Sequence, residues 1–134
     1  MYQMQERLSV VLPTYNEREN IPLLLKELFS LDQPYELEVL IVDDDSTDGT
    51  DQLVKSLAQS DFRIRLIRRV GRSGLASAIK EGLLNATGDI AAVLDSDGQH
   101  RPKDVFNAVQ KLIEDDYDLV VGSRFIDKAK IKGL

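Results

Sequence analysis

Apolar and polar positions along the chain follow two alternating rhythms. Five short apolar runs, Leu8 to Leu12, Leu37 to Val42, Ile64 to Ile67, Ile90 to Leu94 and Leu119 to Val121, are separated by four stretches of helical period. Four of the runs are nearly continuous in Val, Ile, Leu and Ala, as expected of strands covered on both faces of a parallel sheet. The third is different: Arg63 and Arg65 alternate with Ile64 and Leu66, which predicts an edge strand with one wet face. In the intervening segments Ile21, Leu24, Leu25 and Leu28 share one helical face. So do Leu53, Val54 and Leu57, then Leu75, Ile79 and Leu83, then Val105, Phe106, Val109, Leu112 and Ile113. Asp48 and Ser73 are placed to cap the second and third helices, and Pro102 suits the first turn of the fourth. Strand and helix in alternation predict a Rossmann-like, doubly wound, three-layer α/β/α fold. The expected strand order is 3-2-1-4, with the fifth strand beyond the fourth.

Composition narrows the classes. The chain has 134 residues, 43% hydrophobic and 30% charged, which suits one globular domain with a core of its own. It contains no cysteine, so a disulfide framework and thiolate metal sites are both excluded. A formal net charge of -6 argues against a general nucleic-acid binder, which needs a basic face. No apolar run approaches the length of a membrane-spanning helix, and the N-terminal stretch lacks the apolar core of a signal peptide.

Open parallel sheets bind ligands beyond the carboxyl ends of their strands, so the residues after each strand carry the chemistry. Pro13-Thr14-Tyr15-Asn16-Glu17 follow the first, and Asp43-Asp44-Asp45-Ser46-Thr47-Asp48-Gly49 the second. Arg68, Arg69, Gly71, Arg72 and Gly74 follow the third, and Asp95-Ser96-Asp97-Gly98-Gln99-His100 the fourth. So many carboxylates on one rim repel one another unless a cation compensates them. A divalent ion completing its shell on ligand phosphates is the simplest compensator, and Asp95 and Asp97 can both reach one hard cation. The arginines after the third strand could then face a diphosphate or a base. Acidic loop residues also serve as helix caps and Asx turns, which is sufficient for Asp48, but the triple carboxylate of Asp43 to Asp45 is more than a cap needs.

Several familiar sites fail on spacing. An EF-hand beginning at Asp44 would place Lys55 where a bidentate glutamate belongs. Gly71-Arg72-Ser73-Gly74 is not a dinucleotide fingerprint and follows the wrong strand, and no Walker A sequence occurs. His100 is the only histidine and reads as a solvent-side loop residue.

"LSVVLPTYNE", "VDDDSTDGT", "GRSGLASAIKEGLLNATGD" and "DSDGQH", with "VGSRF" at Val121 to Phe125, together resemble glycosyltransferase family 2. Within that family the branch most resembled is the dolichyl-phosphate mannose synthases and polyprenyl-phosphate glycosyltransferases. The resemblance runs from Leu8 to about Phe125. It implies a GT-A nucleotide-diphospho-sugar fold, with Pro13, Tyr15, Glu17, Asp44 and Arg72 on the nucleotide side. It further implies that Asp95 and Asp97 form a catalytic DXD pair on Mg²⁺ or Mn²⁺, with Gln99 as a further ligand. Arg124 becomes a contact for the acceptor phosphate. Arg72 stands where lysine is common, and Arg101-Pro102-Lys103 replaces a more usual Pro-Pro-Glu; both departures bear on donor preference.

The activity implied is inverting transfer of a sugar, mannose or glucose favoured, from a nucleoside diphosphate to a polyprenyl or dolichyl phosphate. The resemblance also implies a peripheral position on the cytoplasmic face of a membrane. Family catalytic domains run well past 200 residues, so the chain reads as the donor half, truncated before the acceptor segment and open to self-association as a homo-oligomer. Two rivals remain. A non-catalytic nucleotide-sugar-binding fragment would share every motif. A receiver-type signalling module would want its phospho-acceptor aspartate after the third strand, where Arg68 and Arg69 stand.

Overall fold

The computed structural model describes residues 6–72, 74–94, 102–115 and 119–122, with 112–115 and 119–122 described as backbone. Among the described residues five strands and four helices alternate: β1 (Arg7–Thr14), α1 (Asn20–Ser30), β2 (Glu36–Asp43), α2 (Thr50–Ser60), β3 (Ile64–Arg68), α3 (Leu75–Asn85), β4 (Ile90–Leu94), α4 (Pro102–Asp115) and β5 (Leu119–Gly122). The sheet runs β3-β2-β1-β4-β5, every pair parallel, in the order expected from the apolar pattern. β3 is an edge strand, as its Arg–Ile alternation predicts.

Burial explains why the central runs carry so few polar residues. Leu8, Val10, Val11 and Leu12 in β1 and Val39 to Val42 in β2 have no exposed surface. One face of the sheet, with Leu8, Val10, Leu12, Val39, Ile41, Ala92 and Leu94, packs on α1, α2 and α4 through residues such as Leu25, Leu28, Val54, Val105 and Val109. The other face, with Val11, Val42 and Val93, packs among the described residues on α3. The doubly wound expectation therefore holds, with helices on both faces in unequal numbers.

The apolar faces of α1 and α4 are those read from the sequence, since Ile21, Leu24, Leu25, Leu28, Val105, Phe106 and Val109 are buried. α3 departs from expectation. Leu75, assigned to its buried face, is 60% exposed. The helix instead makes its closest approach through Ala78 and Gly82, with Ile79 and Leu83 packed beside them. A Cβ on Gly82 would collide with Val11 Cγ1 and sit 3.2 Å from Val42 Cγ2. Small residues thus let α3 lie close on β1 and β2, and the larger side chains flank the contact instead of filling it. Pro102 does open α4. α2 begins at Thr50 after Gly49, yet Asp48 still takes the first free donor: its carboxylate accepts from the Thr50 N–H at 3.0 Å. Ser73, expected to cap α3, lies outside the described residues.

At the opposite end from the candidate site, the α3 face of the sheet carries a buried polar network. The Glu38 carboxylate accepts hydrogen bonds from Ser9 Oγ at 2.6 Å, the Thr87 N–H at 2.9 Å and Arg65 Nη1 at 2.7 Å. Ser9 Oγ in turn accepts from the Gly88 N–H at 2.8 Å. Burial disfavours the Glu38 charge, but these donors outweigh it and lower its pKa from 4.5 to about 2. The network fastens the turn after α3 to β1 and β2, and it gives the edge arginine Arg65 an inward partner.

Two outcomes follow for stability. Replacing Gly82 by Ala should destabilise the chain by about 1–3 kcal/mol through overpacking against Val11, read as a lowered urea midpoint. Glu38 is depressed in the folded state, so the folded protein binds fewer protons there than the unfolded chain. Its contribution should be fully present above pH 4.5 and fade as pH falls toward 2. Denaturation midpoints measured across that window should fall more steeply for the wild type than for Glu38→Gln.

Candidate active site

Parallel pairing in register brings the ends of β1, β2 and β3 to one rim. Thr14 lies opposite Asp43, and Asp43 opposite Arg68. The chain continues the ladder one step further: the Asp44 N–H donates to Thr14 O at 2.9 Å, and the Arg69 N–H to Asp43 O at 2.8 Å. Tyr15, Asp44 and Arg69 are thereby the first residues past three adjacent strands. β4 ends on the same rim at Leu94, since Val93 pairs with Val11.

The three consecutive aspartates have three separate fates. Asp43 is wholly buried, and its carboxylate accepts from both the N–H and the hydroxyl of Ser46. Asp44 lies against Arg69: Arg69 Nε is 2.8 Å from Asp44 Oδ1, although the two are not aligned as a hydrogen bond. Asp45, in left-handed backbone at φ 55, turns outward to Arg68 Nη2 at 2.9 Å, and Arg68 also reaches Asp51 at 3.4 Å. This revises the electrostatic expectation. The crowd of carboxylates after β2 is compensated by the arginines after β3, so Arg68 and Arg69 do not stand free to face a diphosphate.

The β1–α1 and β2–α2 loops are laced together around this rim. Asn16 takes left-handed backbone at φ 50, which asparagine tolerates better than most residues. Its N–H donates to Ser46 Oγ at 2.9 Å, and its side-chain oxygen accepts from the Thr47 N–H at 2.8 Å. The Arg18 N–H donates to Asp48 at 3.3 Å. The Asp48 carboxylate is held below the usual carboxylate range, chiefly by the Thr50 hydroxyl and further by the Thr50 and Arg18 N–H groups. Asp48 therefore does more than cap a helix. It joins two loops.

Of the residues expected on the nucleotide side, the structure brings Pro13, Tyr15, Glu17 and Asp44 to the β1 and β2 ends. Tyr15 is 57% exposed, as a ring available to a ligand must be. Glu17 accepts from Asn20 Nδ2 at 2.6 Å, and its carbonyl takes the first N–H groups of α1. A polar cleft of about 330 Å³ opens beside it, lined by Asn16, Glu17, Arg18, Glu19, Asn20 and Asp48. Three of those six are carboxylates, which makes the cleft itself a poor seat for a diphosphate. Arg72 stands apart, two-thirds exposed and paired with Glu81 at 3.2 Å. Asp95, Asp97, Gln99 and Arg124 lie outside the described residues. Among the described residues there is no group of three or more histidine, aspartate or glutamate side chains that could hold a metal ion. Nor do they include a helix long and apolar enough to cross a membrane.

Sequence reasoning gave Asp43 and Ser46 no separate roles and set Arg69 among the arginines that could face a diphosphate or a base, not as a buried partner of Asp44. An asparagine and a serine after adjacent strands hint at loop lacing, but Arg69 carries no such signal. It is 2% exposed while its neighbour Val70 is 66% exposed, the reverse of what their hydropathy suggests.

An open parallel sheet flanked by helices on both faces is the fold of the GT-A glycosyltransferases that the chain resembles. The chain belongs to glycosyl transferase family 2, whose model matches residues 9–133. It is 36% identical over 126 residues to a dolichol-phosphate mannosyltransferase of Pyrococcus furiosus, covering 94% of this chain and 35% of that protein. It is 31% identical over 131 residues to a polyprenol monophosphomannose synthase of Mycolicibacterium smegmatis, covering 95% of this chain and 48% of that one. Among solved structures, it resembles a mannosyltransferase from Pyrobaculum calidifontis in complex with GDP-Man and Mn²⁺, with a TM-score of 0.67 and 34% identity over 81% of this chain and 33% of that one. The chain thus spans between a third and a half of the length of these relatives.

Ser46 tests the lacing. Ser46→Ala would leave the buried Asp43 carboxylate with one donor fewer and the Asn16 N–H without its acceptor. We expect a loss of about 1–3 kcal/mol in urea denaturation, with faster amide hydrogen exchange at Asn16 and Thr47.

Proposed function

We propose that the chain binds the donor in a reaction that moves a sugar, mannose or glucose favoured, from a nucleoside diphosphate to a polyprenyl phosphate. The observation that carries this reading is the convergence of Tyr15, Glu17 and Asp44 on the carboxyl rim of a family 2 domain. Two relatives are named for mannosyl transfer to dolichol or polyprenol phosphate, and a structural neighbour holds GDP-Man and Mn²⁺.

In the proposed roles Tyr15 offers a ring face and Asp44 a carboxylate to the nucleoside, with Pro13 and Glu17 shaping the pocket and Arg72 at its margin. Asp95 and Asp97, with Gln99, would hold Mg²⁺ or Mn²⁺; hard oxygen ligands after a strand suit either ion. The ion when bound supplies electrostatic stabilisation of the diphosphate leaving group. In transfer, an acceptor phosphate oxygen forms the new bond to the sugar's anomeric carbon as the bond to the donor diphosphate breaks, inverting that centre. A phosphate nucleophile is already ionised at neutral pH, so the reaction needs no strong general base, and the single His100 is no obstacle. Arg124 would meet the acceptor phosphate. Peripheral association with a cytoplasmic membrane surface, and self-association, belong to the same proposal. A non-catalytic sugar-nucleotide-binding module is the second reading, since it would share every motif of the donor side.

Calorimetric titration with GDP and UDP, with and without Mn²⁺, tests the donor half. Binding should need the ion, and Asp97→Asn should weaken it by about tenfold or more while thermal unfolding stays unchanged. Equal affinity in excess chelator would remove the metal bridge from the proposal. A transfer assay with GDP-mannose or UDP-glucose and a polyprenyl phosphate in detergent separates the two readings.

A further inference from the structure

We infer that Arg69 is a positioning residue, whose buried guanidinium sets the Asp44 carboxylate for nucleotide binding. The inference rests on the nucleotide role proposed for Asp44. Arg69 is fixed at three points. Its N–H is tied to Asp43 O at 2.8 Å, Nη1 donates to Ser77 Oγ of α3 at 2.9 Å, and Nε faces Asp44 Oδ1 at 2.8 Å. The side chain is 1% exposed, against 15% for Asp44, so the arginine lies behind the aspartate as seen from solvent.

A purely structural role accounts poorly for this arrangement. Nε and Nη2 of Arg69, and Asp44 Oδ1, are buried without a hydrogen-bond partner among the described residues. A buried ion pair left so incompletely satisfied gives little net stability, and apolar residues of similar volume commonly do as well. What the pair does accomplish is geometric. A planar guanidinium braced on Ser77 of α3, with its backbone tied to β2, restricts Asp44 to one side of the rim, where the Asp44 side chain keeps 15% of its surface exposed. A lysine, with one nitrogen on a flexible stem, could not brace against Ser77 and face Asp44 together.

Five variants, Arg69→Met, Arg69→Lys, Ser77→Ala, Asp44→Asn and the Asp44→Asn/Arg69→Met pair, test this in GDP and UDP titrations with Mn²⁺, alongside thermal unfolding. Arg69→Met should weaken nucleotide binding by roughly tenfold, about as much as Asp44→Asn, and the pair should lose no more than the worse single change. The pair should nevertheless regain thermal stability over Arg69→Met, because no buried carboxylate is left unpaired. Arg69→Lys should recover part of the affinity. Ser77→Ala keeps both charges and should give a smaller loss in the same direction, which holds the test open if Arg69→Met fails to fold. Lowered stability with unchanged affinity in Arg69→Met, Arg69→Lys and Ser77→Ala would overturn the inference. If Asp44→Asn alone weakens binding, this inference fails and the parent reading stands. If the wild type binds neither nucleotide, both fail.

Discussion

β1 is enclosed on every side. Its two edges pair with β2 and β4, one face meets α1 and α4, and the other meets α3. The backbone groups of such a strand can be satisfied only by the ladder, and its side chains only by apolar neighbours. Leu8, Val10, Val11 and Leu12 meet that demand, and the register follows, since a one-residue slip would exchange the two faces. Because β2 and β4 are held parallel to β1 and in register with it, their carboxyl ends arrive at one rim. The placement of Tyr15 beside Asp44 is a consequence of burying β1.

The rim then faces an electrostatic problem of its own. Three aspartates in a row cannot share one small space as free anions. The fold separates them by backbone conformation: Asp43 ends the strand pointing inward, Asp44 follows at the edge, and Asp45 turns out in left-handed backbone. Each finds a different partner in Ser46, Arg69 and Arg68. Breaking a buried pair such as Asp44–Arg69 from one side costs about 3–5 kcal/mol, far more than losing an exposed pair such as Arg68–Asp45. The three acids are therefore unequal in energy as well as position.

Much of the fold was legible because it depends on local periodicity. The strands, their order and the faces of α1 and α4 follow from apolar spacing, and the Arg–Ile alternation marked β3 as the edge. The roles of Arg69, Asp43 and Leu75 were not legible, because each depends on a partner distant in sequence. Hydropathy would bury Val70 and expose Arg69; the structure reverses them, since Arg69 finds Ser77 and the Asp44 carboxylate as partners beneath the rim. Leu75 looks like core by its spacing from Ile79 and Leu83, but α3 lies too close on the sheet at Gly82 for that face to be the deep one. At the rim, the types of residue could be read from the sequence, but not the division among them between structure and ligand.

That division bears on where a metal ion could sit. Asp43 and Asp48 are engaged by backbone N–H groups and hydroxyls, and Asp44 and Asp45 by arginines. A cation drawn to any of them would compete with donors already in place, and with two guanidinium charges nearby. Hard cations prefer carboxylates that can turn toward them without losing such partners. The arginines that quiet the β2 rim therefore also direct any divalent ion away from it. β4 ends at Leu94, across β1 from the strand that Arg68 closes and Arg69 follows. The order β3-β2-β1-β4 thus sorts charge as well as chain: the fixed cations Arg68 and Arg69 sit at the β3 end of the rim, separated from the end of β4 by β2 and β1.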